Sequence, residues 1–225
     1  MFRTLLPCAM LLALASAVAP TIAQESAKPV PTPNAAEAKF VAQIQADLNK
    51  RFPTTAAAER AGYIRFTDED STGSISYANR QWDSKDPAHP SQLWYDAKGR
   101  LIGADYSVLR TSSSDSAPHL WGIDPSRWGT FRAHIHYGLW GPNGTVKYGG
   151  MSVAKYQAAG GDPQHPDAAG LVKAGVAKSA NDVRFTFEFP AIWDLQVWVL
   201  PNPNGAFAER NPNVTPSSSA KGMSM

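Results

Sequence analysis

The ten residues Phe131-Arg132-Ala133-His134-Ile135-His136-Tyr137-Gly138-Leu139-Trp140 alternate apolar and polar side chains with a period of two. That period belongs to a strand, because successive side chains of an extended chain point to opposite faces. One face carries Phe131, Ala133, Ile135, Tyr137 and Leu139, and reads as core. The other carries Arg132, His134, His136, Gly138 and Trp140. Two more segments have the same character. In Val183–Phe189, Val183, Phe185, Phe187 and Phe189 oppose Arg184, Thr186 and Glu188. In Ile192–Leu200, Trp193, Leu195, Val197 and Val199 oppose Ile192, Asp194, Gln196, Trp198 and Leu200.

Outward from these strands, hairpin signals recur. Leu93–Asp96 and Leu101–Leu109 are joined through Ala97-Lys98-Gly99-Arg100, and Phe131–Trp140 meets Thr145–Tyr148 across Gly141-Pro142-Asn143-Gly144. Tyr63–Phe66 and Ser74–Trp82 flank an acidic turn, 68–73. That turn has Gly73 at the sixth position of a calcium loop but Asn79 at the twelfth, so it reads as a solvated turn. Residues 152–180 read as short helical pieces. From Ala35 to Arg51 the period is helical: Phe40, Ile44 and Leu48 recur every fourth residue, with Val41 beside them. The expected fold is α+β: an antiparallel sheet or small open barrel with the N-terminal amphipathic helix packed on one side. No glycine-rich phosphate loop and no Gly-x-Ser-x-Gly element follows any strand.

The chain has 225 residues, 43% hydrophobic and 18% charged, with a net charge of +2. This excludes a wholly disordered chain and gives no global basic field for nucleic acid. Residues 1–23 read as a secretory signal: Arg3, an apolar run too short to span a bilayer, and the small-residue exit Thr21-Ile22-Ala23. The expected location is periplasmic or secreted, with no membrane insertion of the mature protein. Cleavage after Ala23 removes the single cysteine, Cys8. Disulfides, thiolate metal sites and cysteine nucleophiles then drop out. A Pro-rich linker is expected over 24–34, one globular domain over 35–212, and a disordered tail over 213–225.

His134 and His136, at i and i+2 on one strand face, are the sharpest chemical signal. Neutral imidazole binds Zn, Cu, Ni or Fe, and two rings make half a site. Glu188, Asp194 and His119 are the candidates to complete it, with Cu or Zn as the expected metal. If the three strands are neighbours, Arg132, Trp140, Arg184, Gln196 and Trp198 would line the same concave surface and hold a small molecule.

Two stretches resemble a group of small exported bacterial proteins without an assigned biochemical role. The first runs Ala58-Glu59-Arg60-Ala61-Gly62-Tyr63, then Pro90–Asp96 and Gly99–Tyr106. The second runs Leu195-Gln196-Val197-Trp198-Val199-Leu200-Pro201-Asn202-Pro203-Asn204-Gly205-Ala206-Phe207-Ala208, ending Asn211-Pro212. The resemblance implies export and brings no functional residue with it. The expected function is an exported soluble binding protein for a divalent transition metal or small ligand. The alternatives are a small hydrolase or isomerase with a histidine base on that face, and an envelope interaction protein using loops around Trp121 and Trp128.

Overall fold

The computed structural model describes residues 30–220. The signal-peptide reading, most of the Pro-rich linker and the last five residues lie outside the described residues. Among those described, no helix is long and apolar enough to cross a membrane.

Helix α1 covers Ala35–Arg51, as its period predicts. Its start is built by Asn34, whose side chain accepts from the Glu37 amide while the Glu37 carboxylate accepts from the Asn34 amide. Helix α2 (Thr55–Arg60) follows and is capped by Thr54. Next come β1 (Ile64–Arg65), β2 (Ile75–Ala78), β3 (Gln92–Tyr95), β4 (Leu101–Leu109), β5 (Trp128–Phe131), β6 (His134–Trp140) and β7 (Val146–Ser152). Short helices α3 (Val153–Ala158) and α4 (Ala168–Lys173) precede β8 (Val183–Phe189) and β9 (Ile192–Trp198).

The strands form two antiparallel sheets and no closed barrel. One sheet has the order β1-β2-β3-β4-β9-β5; the other has the order β7-β6-β8. Phe40, Ile44 and Leu48 of α1 pack on one face of the larger sheet with Tyr95, Tyr106, Leu195 and Val197. Each such apolar side chain contributes about 1.5–3 kcal/mol on burial. The opposite face of the larger sheet receives the smaller one, with Phe66, Ala78 and Ile192 meeting Phe187 and Phe189. Helices α3 and α4 cover the far side of the smaller sheet, where Ile135, Met151, Tyr156 and Leu171 cluster. The layers are therefore helix, sheet, sheet, helices.

The structure divides the expected strand 131–140. β5 ends at Phe131 and pairs with β9, Phe131 opposite Ile192. β6 begins at His134 and pairs with β8, His134 opposite Phe189. One two-stranded ribbon thus bends at Arg132-Ala133 and at Pro190-Ala191, and passes from one sheet into the other. Strands that switch sheets at a bend make such corners. The C-terminal segment is also docked. Val214 packs on Trp94, Ile102 and Trp198. Ser217 donates its amide (2.7 Å) and its hydroxyl to the Glu69 carboxylate. The disordered tail expected over 213–225 is therefore packed at least through Ser217. The acidic turn is closed internally, with Asp70 Oδ1 accepting from the amides of Thr72 and Ser74.

Trp121 and Trp128 do not present a free aromatic surface. Trp121 stacks on Phe40 at 5.1 Å, and Trp128 is buried in the α1 cluster.

Glu37 does not lie on the solvated side of α1. It is 1% exposed and forms an ion pair with Arg127, Nε to Oε1 at 3.1 Å. Burial pushes its carboxyl pKa up, but the Arg127 hydrogen bond and the Asn34 and Asp124 amides outweigh that and hold it below the usual value. Removing one partner of a buried pair leaves the other charge uncompensated. Glu37→Ala is expected to destabilise the fold by about 3–5 kcal/mol in urea unfolding. A loss under about 1 kcal/mol would show that this clamp is not needed.

Candidate functional site

The bend decides which side chains meet. Phe131 and His134, three residues apart, lie on the inner side of the corner, as do Phe189 and Ile192. Cross-strand partners share a face. His134 is opposite Phe189 and His136 is opposite Phe187, so both imidazoles look inward with the phenylalanines. The rings are closely packed. His134 stacks on Phe189 at 4.6 Å, and His136 meets the edge of Phe66 at 4.7 Å and lies 5.6 Å from Phe187. Gly138, next on this face, leaves room for Phe185: a Cβ there would come within 2.4 Å of that ring.

The two imidazoles touch through their far nitrogens, Nε2 to Nε2 at 2.9 Å. His134 Nδ1 lies 2.8 Å from the Arg132 carbonyl oxygen, so Nδ1 carries the hydrogen and Nε2 is a bare acceptor. His136 then donates from Nε2 and leaves its own Nδ1 unprotonated. That Nδ1 is buried without a hydrogen bond of good geometry. The Gly149 backbone is close enough to pull weakly toward protonation. Burial lowers both pKa values. For His136, burial and the neighbouring His134 bring it down to about 3. Both rings are neutral at neutral pH.

The other sequence-derived candidates are dispersed. Glu188 is opposite Ile135 and so faces α3 and α4, away from the imidazoles. Asp194 is buried in the larger sheet, where Ser107 Oγ donates to its Oδ1 at 3.2 Å. His119 is exposed in the loop between β4 and β5. Among the described residues no group of three or more His, Cys, Asp or Glu side chains converges. Arg132 contributes its carbonyl, while its side chain is exposed. Gln196 is exposed on β9, and Trp198 is buried, donating Nε1–H to the Ala208 carbonyl. Trp140 and Arg184 do meet, with the guanidinium 5.3 Å from the ring centroid.

Sequence alternation misses the phenylalanine cage, because it assigns Phe187 and Phe189 to the face opposite the histidines. Pro190 is the one local signal of the bend. Alternation also misses a second buried polar group. Asp105 and Asp194 lie on the same face, two register positions apart on β4 and β9. Trp94 Nε1–H donates to Asp105 Oδ2 at 2.8 Å, while Asp105 Oδ1 and Asp194 Oδ2 have no partner. Burial raises both carboxyls, Asp194 to about 7, and the Asp194 charge raises Asp105 further.

Comparison with family models, curated proteins and solved structures finds no match to this chain.

Two pH effects of opposite sign follow. A histidine with a lowered folded pKa loses stability as pH falls, because the unfolded ring takes up a proton near pH 6.5 and the folded one does not. The His136 ring signals are expected not to titrate in NMR between pH 8 and about 4.5; a midpoint near 6.5 would contradict the buried, neutral ring. An aspartate with a raised pKa loses stability as pH rises, from about 4 to about 7 for Asp194. Asp194→Asn is expected to raise the unfolding midpoint at pH 8 and flatten its decline over that window. An unchanged slope would place the charge elsewhere.

Proposed function

We propose that the mature protein is exported, periplasmic or secreted, and binds a divalent transition metal through His134 and His136. The observation that carries this reading is the 2.9 Å approach of two neutral Nε2 atoms inside a phenylalanine cage. Bonds of about 2.0–2.1 Å from both nitrogens to one ion would make roughly a right angle at that ion, a cis pair. A few tenths of an ångström of opening reaches the tetrahedral angle. His134 is already in the tautomer a metal needs, because its Nδ1–H is held by a backbone carbonyl. His136 would move its proton from Nε2 to Nδ1, toward the Gly149 backbone, and so expose the lone pair of Nε2 in place of that of Nδ1. Imidazole ligands without thiolate suit Cu(II) or Zn(II). The pair supplies two donors, so the other positions would fall to water or a small ligand.

The alternative, a histidine base for hydrolysis or isomerisation, draws less support from the site. A general base works best with a pKa near the working pH, and His136 lies near 3.

Titration of the full mature chain with Cu(II) and Zn(II), followed by calorimetry, tests the reading. One ion is expected per chain. His134→Ala and His136→Phe are expected to weaken binding by at least about tenfold while circular dichroism shows the fold retained. Folded variants that bind as well as the wild type would overturn it.

A further inference from the structure

A cleft opens where the two sheets meet near α2. It is open to solvent, has a volume of about 450 Å³ and is lined by Glu59, Tyr63, Arg65, Tyr77, Tyr148 and Arg184, with Ile64. The volume is in the range of small-molecule sites, and the lining is more polar than apolar, with three tyrosines beside two arginines and a glutamate. Glu59 comes from α2, Arg65 and Tyr77 from the larger sheet, and Tyr148 and Arg184 from the smaller one.

Arg184 reaches this cleft because the sheet is irregular there. Strand alternation puts Arg184 with Thr186 and Glu188, on the face that looks toward α3 and α4. In the structure Gly138 is opposite Phe185, but Leu139 is opposite Val183, so Arg184 is the extra residue of a β-bulge. Bulges re-aim a side chain and recur beside functional sites. Here the guanidinium turns onto Trp140, on the inner face with Gly138 and Tyr148. Among the described residues it has no ion-pair partner. Arg65 is held from the other sheet. Its guanidinium carbon lies 4.9 Å from the centre of the Tyr148 ring, its Nε–H donates to the Thr67 carbonyl at 2.9 Å, and Asp68 is at 3.9 Å. Each guanidinium is thus fixed by an aromatic ring, which lowers the ordering cost of binding. The Arg65 and Arg184 guanidiniums and the Glu59 carboxylate line this one cleft. The Tyr77 hydroxyl, raised first by its burial, responds to Arg65, Glu59 and Tyr148 together.

We propose that this cleft binds a small organic carboxylate bearing a hydrogen-bond donor, of the hydroxy-acid or amino-acid class. The carboxylate sits on the Arg184 and Arg65 guanidiniums, and the donor faces Glu59. A planar guanidinium fork matches a carboxylate in bidentate geometry. Glu59 repels a second negative charge, which favours a monoanion or zwitterion over phosphate. The site is separate from the imidazole pair and does not depend on a metal.

The test is NMR titration of metal-stripped full-length mature protein, following the Arg Nε–H signals, with glycolate, alanine, acetate and inorganic phosphate as probes. Glycolate or alanine is expected to saturate the Arg65 and Arg184 signals with a Kd at or below about 1 mM, and acetate to bind more weakly. Arg184→Gln, at an exposed position, is expected to weaken binding at least fivefold without changing the fold. Glu59→Gln is expected to erase the preference for glycolate or alanine over acetate. No saturable shift with any carboxylate, equal binding by folded Arg184→Gln, or phosphate binding as tightly as the carboxylates would overturn the assignment. Because the protein is metal-stripped, none of these results bears on the imidazole pair.

Discussion

A single bent ribbon organises the molecule. β5 and β9 are one end of it, β6 and β8 the other, and the corner falls at Arg132-Ala133 on one strand and Pro190-Ala191 on its partner. Proline has no N–H to give to a ladder, so the pairing is interrupted there and the chain is free to turn. The turn resets the alternation of side chains on both strands. Phe131 and His134 come to the same side, and so do Phe189 and Ile192. The smaller sheet then folds its phenylalanine face onto the larger sheet. The two imidazoles are carried into that interface with it.

Burial in this interface sets the chemistry of the pair. Phe66, Phe187 and Phe189 exclude water, which disfavours the charged form of each ring. A backbone carbonyl fixes one tautomer and the neighbouring imidazole fixes the other. The result is a fixed pair of neutral imidazoles that takes up a proton poorly. The other buried ionisable groups are handled differently. Glu37 keeps its charge because Arg127 and two amides satisfy it. Asp105 and Asp194 have one unpartnered oxygen each and keep a proton more readily than carboxyls in water.

Much of the architecture was legible. The fourfold spacing of Phe40, Ile44 and Leu48 marks α1 and the face it buries, and the hairpin of β3 and β4 follows from its Lys98-Gly99 turn. The histidines were legible as a pair, since i and i+2 share a strand face in any sheet. Their neighbours were not. A period of two holds only while a strand is straight, and the chain breaks it at the corner and again at the Arg184 bulge. Each break moves every later side chain to the opposite face. Glu188 therefore leaves the histidines and Arg184 leaves Glu188.

Local spacing by itself determined α1, the β3–β4 hairpin, the α+β class and the two imidazoles as a unit, because these depend on residues within a few positions of one another. Tertiary structure alone decided the phenylalanine cage around those imidazoles and, elsewhere in the molecule, the buried carboxyl pair and the arginine cleft. These arise from strands distant in sequence, whose facing sides are fixed by register, bend and bulge. A shift of one residue in any of the three exchanges one face for the other, and no local pattern records it.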